Sequence, residues 1–201
     1  MDRRLILASQ SPRRYELLKQ VGLDFEVVPS RVIEDFARTE SPQDHVIRLA
    51  EAKARQVASG YPNRWVIAAD TVVYIGGSIL GKPQNGEEAR GMLRRLSGQE
   101  HWVLTGFFVC HLEKAKNDKE AVQTAVRMKR LTTAEIEWYI KTGEPFDKAG
   151  GYAIQGIGSF MIESIRGSYT NVVGLPLCEL IQMLSRLGGI TISECGMRIA
   201  E

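Results

Sequence analysis

Cysteine is scarce in this chain, with three in 201 residues, at Cys110, Cys178 and Cys195. An odd, widely spread set fits a reducing compartment better than a disulfide framework. Histidine is equally sparse: His45, His101 and His111 stand at no zinc-ligand spacing from each other or from the cysteines. No uncharged stretch approaches the ~18 residues of a membrane span. The longest, Ala149 to Ile162, is broken by Gly150, Gly151, Gly156 and Gly158. The opening MDRRLILAS has too few apolar residues for a secretion-signal core of about 7–15. Nor does one charge dominate: 26 basic residues face 24 acidic ones, which argues against a protein that coats nucleic acid. No repeat, low-complexity tract or linker divides the chain. These absences predict a soluble cytoplasmic protein with no membrane and no stable nucleic-acid partner. With 44% hydrophobic residues, the length suffices for one α/β domain over residues 1–201.

What is present is densest from Trp65 to Pro83, WVIAADTVVYIGGSILGKP. Val66 to Ala69 is a continuous apolar run, the pattern of a strand buried on both faces. Asp70 follows directly, then Thr71-Val72-Val73. Gly76-Gly77 can supply the positive φ values of a tight hairpin, and Ser78-Ile79-Leu80 returns toward Lys82. A carboxylate in a core strand must be paired, hydrogen-bonded or metal-bound, because burying it bare is prohibitive. With a lysine on the same hairpin, this suggests a site for anions and a cation together. The alternative, that Asp70 only closes the turn and Lys82 is solvated, stands beside it.

Nearer the N-terminus, Arg4 to Ala8 reads as a short core strand. Ser11 is a good helix N-cap and Pro12 a good first helical residue, with Leu17, Leu18 and Val21 on one side and a stop at Gly22. Arg13 and Arg14 in the first turn oppose the helix dipole. Their placement favours a bound anion such as phosphate over a purely solvated pair. Leu23 to Val28 is a second strand, and Arg31 to Glu40, with adjacent acids Glu34 and Asp35, reads as a loop. Ser41-Pro42 starts a helix reaching about Ser59. At about 100° per residue, Val46, Leu49, Ala50 and Val57 form one stripe with Lys53 near its centre. Such a lysine either snorkels to water or projects into a site to meet negative charge, and the second is favoured here.

Further on, Gly86 to Ser97 is a helix burying Ala89, Met92, Leu93 and Leu96. His101 to Leu112 and Glu120 to Met128 are strands, paired across a turn at Lys116-Asn117-Asp118. Thr132 and Glu135 form a capping box for a helix closed by Gly143. The glycines of DKAGGYAIQGIG, Asp147 to Gly158, suggest close backbone approach. Asp147-Lys148 fits a partly buried ion pair better than a ligand contact. Phe160 to Ile165 is a strand, Asn171 to Pro176 a turn, and Leu177, Leu180, Ile181 and Leu184 mark a last helix. Residues 188–201 form a tail of undetermined structure. His101 and His111 read as packing or surface residues, and Trp65, Trp102 and Trp138 as core packing.

LASQSPRRYELL, ADTVVYIGGSILGKP, MLRRLSGQEH, TGEPFDKAGGYAIQG and NVVGLPL together resemble the Maf family, the septum-formation-inhibitor-like nucleoside triphosphate pyrophosphatases. The motifs come in family order over about residues 5 to 185. The resemblance implies an elongated mixed β-sheet flanked by helices, with a central cleft between two lobes, similar to the inosine triphosphate pyrophosphatases. It also implies metal-dependent hydrolysis of a nucleoside triphosphate to the monophosphate and pyrophosphate, and it allows a homodimer. Residue by residue, the family's catalytic acid falls on Asp70, its lysines on Lys53 and Lys82, and its acidic loop residue on Glu34, with Asp35 a competitor. Its first serine is Ser9, and its SPRR motif is Ser11, Pro12, Arg13 and Arg14. Three substrate-selecting positions read Arg13, Thr71 and Gln155, the combination of the dTTP- and UTP-acting branch. Gln10 departs from a frequent family glycine, and a positive φ there would strain it.

The chemistry of these residues is consistent with that activity. A triphosphate needs several cations, and Arg13, Arg14, Lys53, Lys82 and a divalent metal are the candidates. Asp70 and Glu34 offer the oxygen ligands that Mg²⁺ or Mn²⁺ prefers. Water attacking the α-phosphorus must lose a proton, which Asp70 can accept. Gln155 offers a donor and an acceptor to a pyrimidine edge. The competing expectation is a regulatory protein of cell division that senses a nucleotide or contacts nucleic acid without turnover. Such a protein has use for the cations but none for a catalytic Asp70.

Overall fold

The computed structural model describes residues 5–33 and 40–191. Seven strands form one mixed sheet: β1 (Leu5–Leu7), β2 (Phe25–Val27), β3 (Trp65–Ile75), β4 (Ser78–Leu80), β5 (Glu100–His111), β6 (Lys116–Met128) and β7 (Ile162–Arg166). Their order is β2-β1-β3-β5-β6-β7, with β4 also on β3. The helices are α1 (Pro12–Gln20), α2 (Pro42–Ala58), α3 (Gly86–Leu96), α4 (Thr133–Lys141), α5 (Tyr169–Val173) and α6 (Leu177–Leu187). The chain divides into two compact units. The first comprises Met1–Asp70, Thr105–Ala121 and Gly174–Glu201, the second Thr71–Leu104 and Val122–Val173.

In the first unit β1 lies between β2 and β3 and is parallel to both, Leu7 opposite Val27 and Ile67. A parallel pair needs a crossover connection, and α1 and α2 provide the two required here. The apolar stripe of α2 packs on the sheet: Ala50, Ala54, Val57 and Ala58 share a buried cluster with Ile6, Ala8, Val66, Ala68 and Phe108. That contact is unusually close at one point. A Cβ added to Gly106 on β5 would lie 2.5 Å from the backbone carbon of Val46. Only glycine lets α2 approach β5 that closely.

In the second unit β4 returns antiparallel on β3, Val73 opposite Leu80 and Ile75 opposite Ser78. Gly76 (φ 53°) and Gly77 (φ 77°) make the turn, as their sequence predicts. Its core gathers Val73, Leu80, Leu93, Leu96, Val126, Met128, Ile136, Tyr139, Tyr152 and Met161. Thr132 and Glu135 complete the expected capping box on α4.

Several expectations need correction. The turn between β5 and β6 is Leu112 to Ala115, and Lys116, Asn117 and Asp118 are already strand. Ala115 takes the left-handed conformation at φ 49°. Lys116 and Asp118 are extended and reach α6, donating to Leu187 O at 2.8 Å and accepting from Arg186 at 2.6 Å. Their polarity reflects an exposed strand end, which local composition does not distinguish from a turn. The segment 171–176 begins inside the short α5, because Asn171 is buried and donates to Val103 O and Thr124 Oγ1. The strand expected at 160–165 starts at Ile162, after a 3-10 turn over Ile157–Met161. Trp138 is 52% exposed, with its ring against Phe160 rather than in a core. His101 and His111 are both buried, in agreement with the expectation of packing or surface residues.

Candidate active site

Asp70 is 6% exposed and Lys53 7%. Lys53 Nζ donates to Asp70 Oδ1 at 2.6 Å. The lysine on the apolar stripe therefore does not snorkel, and the core carboxylate is paired. Each step traces to sequence. Ser41 accepts from the Asp44 N–H at 3.1 Å and Pro42 follows, so α2 begins where its cap residue dictates. The periodicity then directs Lys53 to the sheet, and Gly106 sets how closely the helix lies on it.

A second group forms where β1 ends. Ser9 lies two residues beyond Leu7 and Asp70 three beyond its register partner Ile67. Both therefore follow the carboxyl end of the paired stretch, the side on which parallel α/β sheets hold ligands. Ser9 is buried, and its Oγ accepts from Ser11 N at 3.2 Å and from Arg14 Nη1 at 3.1 Å. Arg14 Nε donates to Gly174 O at 2.8 Å. Arg14 thus braces the loop leading into α1. Ser11 occupies the N-cap position with an extended backbone, but its side chain makes no capping bond, contrary to expectation. Arg13 is half-buried in the first turn. Gln10 does not have a positive φ, so replacing the family's glycine introduces no backbone strain.

The other candidates lie in the second unit. Thr71 is half-buried, and Lys82 and Gln155 are exposed. The backbone around Lys82 is tied to the glycine-rich segment, since Gly150 N donates to Gly81 O at 2.9 Å. Gly150 has φ 69°, and a Cβ there would meet the Val73 side chain at 2.9 Å, which explains a glycine at that point. Lys148 bonds Asp147 Oδ1 at 2.5 Å and Glu144 O at 2.7 Å, in keeping with the ion-pair expectation. Glu34 and Asp35 lie outside the described residues. Among the described residues no group of three or more His, Cys, Asp or Glu is arranged to hold a metal.

Sequence reasoning missed two internal supports. The Glu144 carboxylate accepts from Tyr139 Oη at 3.0 Å, Ile157 N at 3.0 Å and Gly158 N at 2.9 Å. Burial opposes ionisation of Glu144, but these donors and Lys148 outweigh it and lower its pKa. The second support is His101, whose Nε2 lies 2.6 Å from Tyr152 Oη with both residues buried. The backbone partners of Glu144 lie 13 and 14 residues downstream, and the partner of His101 lies 51 residues away, so no local pattern reveals either.

The profile of the Maf-like protein family matches residues 4–187. The chain belongs to that family. Among its relatives, a dTTP/UTP pyrophosphatase of Syntrophus aciditrophicus (strain SB) is 51% identical over 193 residues, covering 96% of this chain and 94% of the relative. One of the same description from Geotalea uraniireducens (strain Rf4) is 52% identical over 186 residues, covering 92% and 96%. Among solved structures, the Staphylococcus aureus Ham1 protein overlaps 79% of each chain at 18% identity, with a TM-score of 0.43. For a Maf-like chain, Asp70 and Lys53 are residues of the expected site, and their side chains are in direct contact. Ser9, Ser11 and Arg14 form a connected set of their own.

Proposed function

We propose that this Maf-like protein is a nucleoside triphosphate pyrophosphatase that hydrolyses dTTP and UTP to the monophosphate and pyrophosphate with a divalent metal. The observation that carries this reading is the buried Asp70 carboxylate held by Lys53 at 2.6 Å. A protein that only binds a polyanion gains nothing from a carboxylate at its site, whereas hydrolysis needs a proton acceptor. Relatives about half identical over nearly the whole chain are described as dTTP/UTP pyrophosphatases, in line with the trio Arg13, Thr71 and Gln155.

Asp70 accepts the proton of the attacking water, and Lys53 holds the carboxylate in place. Arg13, Arg14 and Lys82 offset the triphosphate charge, and Ser9 and Ser11 order the loop before α1. Gln155 presents an amide to the pyrimidine edge. Mg²⁺ is commonly bound by one or two carboxylates completed by substrate phosphates, and Asp70 is a hard oxygen donor of that kind, with Glu34 the second. Bound there, Mg²⁺ or Mn²⁺ would neutralise phosphate charge and acidify water.

The test is pyrophosphate release from a panel of nucleoside triphosphates with Mg²⁺ or Mn²⁺. Turnover of dTTP and UTP is expected, and Asp70→Asn should lower kcat by about 100-fold or more. A near-normal rate in that variant removes Asp70 as the base. Failure with every nucleotide favours the regulatory alternative.

A further inference from the structure

Gln155 is exposed, so the backbone on either side must set where its amide lies. That backbone is held from both ends. Before it, Tyr152 is 5% exposed and bonded to His101. After it, Gly156 turns the chain at φ 73° and ψ −150°, and the next two N–H groups both point at one carboxylate, that of Glu144. The fit allows no side chains. A Cβ on Gly156 would meet Glu144 Oε2 at 2.9 Å, and one on Gly158 would meet Tyr139 Oη and Ala153 O, each at 2.7 Å. The loop is thus wrapped around the half-buried Glu144 carboxylate.

We propose that Glu144 is a positioning residue for base selection: its carboxylate fixes the turn from which Gln155 reads the pyrimidine. The inference rests on the pyrophosphatase reading above. Its chemical basis is the ambivalence of a carboxamide. With one donor and one acceptor group, Gln155 can complement the imide edge of uracil and thymine or, turned over, the amino edge of cytosine. Discrimination between them therefore depends on where the loop places the amide. Removing the anchor should relax the choice of base while leaving the phosphate chemistry intact.

The experiment measures kcat and KM for UTP and CTP in the wild type, Glu144→Gln, Gln155→Ala and the double variant. Glutamine is nearly isosteric with glutamate, but its NH₂ faces one of the two backbone N–H groups and breaks that bond. The UTP-over-CTP ratio of kcat/KM should fall about 3- to 10-fold, the loss corresponding to one hydrogen bond, chiefly through a raised KM for UTP. In the Gln155→Ala background, Glu144→Gln should change the ratio no further. A merely structural role lowers both substrates by one factor, through the active fraction, and leaves the ratio unmoved. An unmoved ratio, or additive effects in the double variant, overturns the inference while the pyrophosphatase reading stands. Wild-type protein that turns over neither nucleotide overturns both. Should Glu144→Gln not fold, Tyr139→Phe removes another donor from the same carboxylate and is judged by the same criteria.

Discussion

Lys53 and Asp70 have both given up their hydration, and the geometry of their pairing determines what that costs. A buried ion pair is weak evidence of net stability, because desolvation offsets the Coulomb attraction; breaking it by removing one partner is costly. Lys53→Met keeps the length and apolar stem of the side chain while stranding the carboxylate, 6% exposed. Urea unfolding should show a loss of about 3–5 kcal/mol. Adding Asp70→Asn should return a good part of it, since the remaining amide carries no charge. If the double variant is no more stable than the single one, the loss in Lys53→Met comes from packing rather than from a stranded charge.

At the scale of elements, α2 carries Lys53 to the sheet, and the closeness of its approach depends on a residue outside the family motifs named above. Gly106 on β5 lies so near Val46 and Ile47 that a Cβ would sit 2.5–2.7 Å from their backbone atoms. Backbone cannot rotate away as a side-chain tip can, so the helix must shift. Gly106→Ala should destabilise by about 1–3 kcal/mol, the usual cost of overpacking. Because the shift displaces Lys53, turnover should fall by more than the folded fraction does. Thermal melts with kinetics on the folded protein separate the two effects. Cap residues and turn glycines made most element boundaries legible: Ser41 and Pro42 on α2, Thr132 and Glu135 on α4, Gly76 and Gly77 between β3 and β4. The β5–β6 turn is an exception with a plain physical cause. The exposed start of β6 is as polar as a turn, and Ala115 rather than a glycine adopts the left-handed conformation.

For the whole molecule, stability should depend on pH through groups that hold their protons differently once folded. Burial lowers the pKa of His101 from 6.5 to about 4, against a weaker opposing hydrogen bond to the Gln99 backbone. The folded protein therefore keeps His101 neutral where the unfolded chain would protonate it. This contribution is fully present above pH 6.5 and is lost as pH falls toward 4, amounting to roughly 3 kcal/mol. Below that range the Glu135 carboxyl, lowered to about 2 chiefly by its bond from Lys129, protonates and adds to the loss. Unfolding at a series of pH values should show stability declining between pH 6.5 and 4. That slope should flatten in a His101→Leu, Tyr152→Phe variant, whatever its overall stability. An unchanged slope assigns the dependence to other groups.

By itself the sequence determined the family, the α/β class, the helix starts and the identity of the residues in the motifs, because caps, periodicity and turn glycines act over a few neighbours. It also placed Lys53 on an apolar stripe and Asp70 in a core strand, leaving each with more than one fate. Tertiary structure decided those fates, because a partner 17 residues away is supplied by how α2 packs on the sheet rather than by local pattern. For the same reason it alone revealed Glu144 under the Gln155 loop, His101 against Tyr152, and Gly106 as the point of closest approach. In each case the deciding interaction joins segments that are remote in sequence.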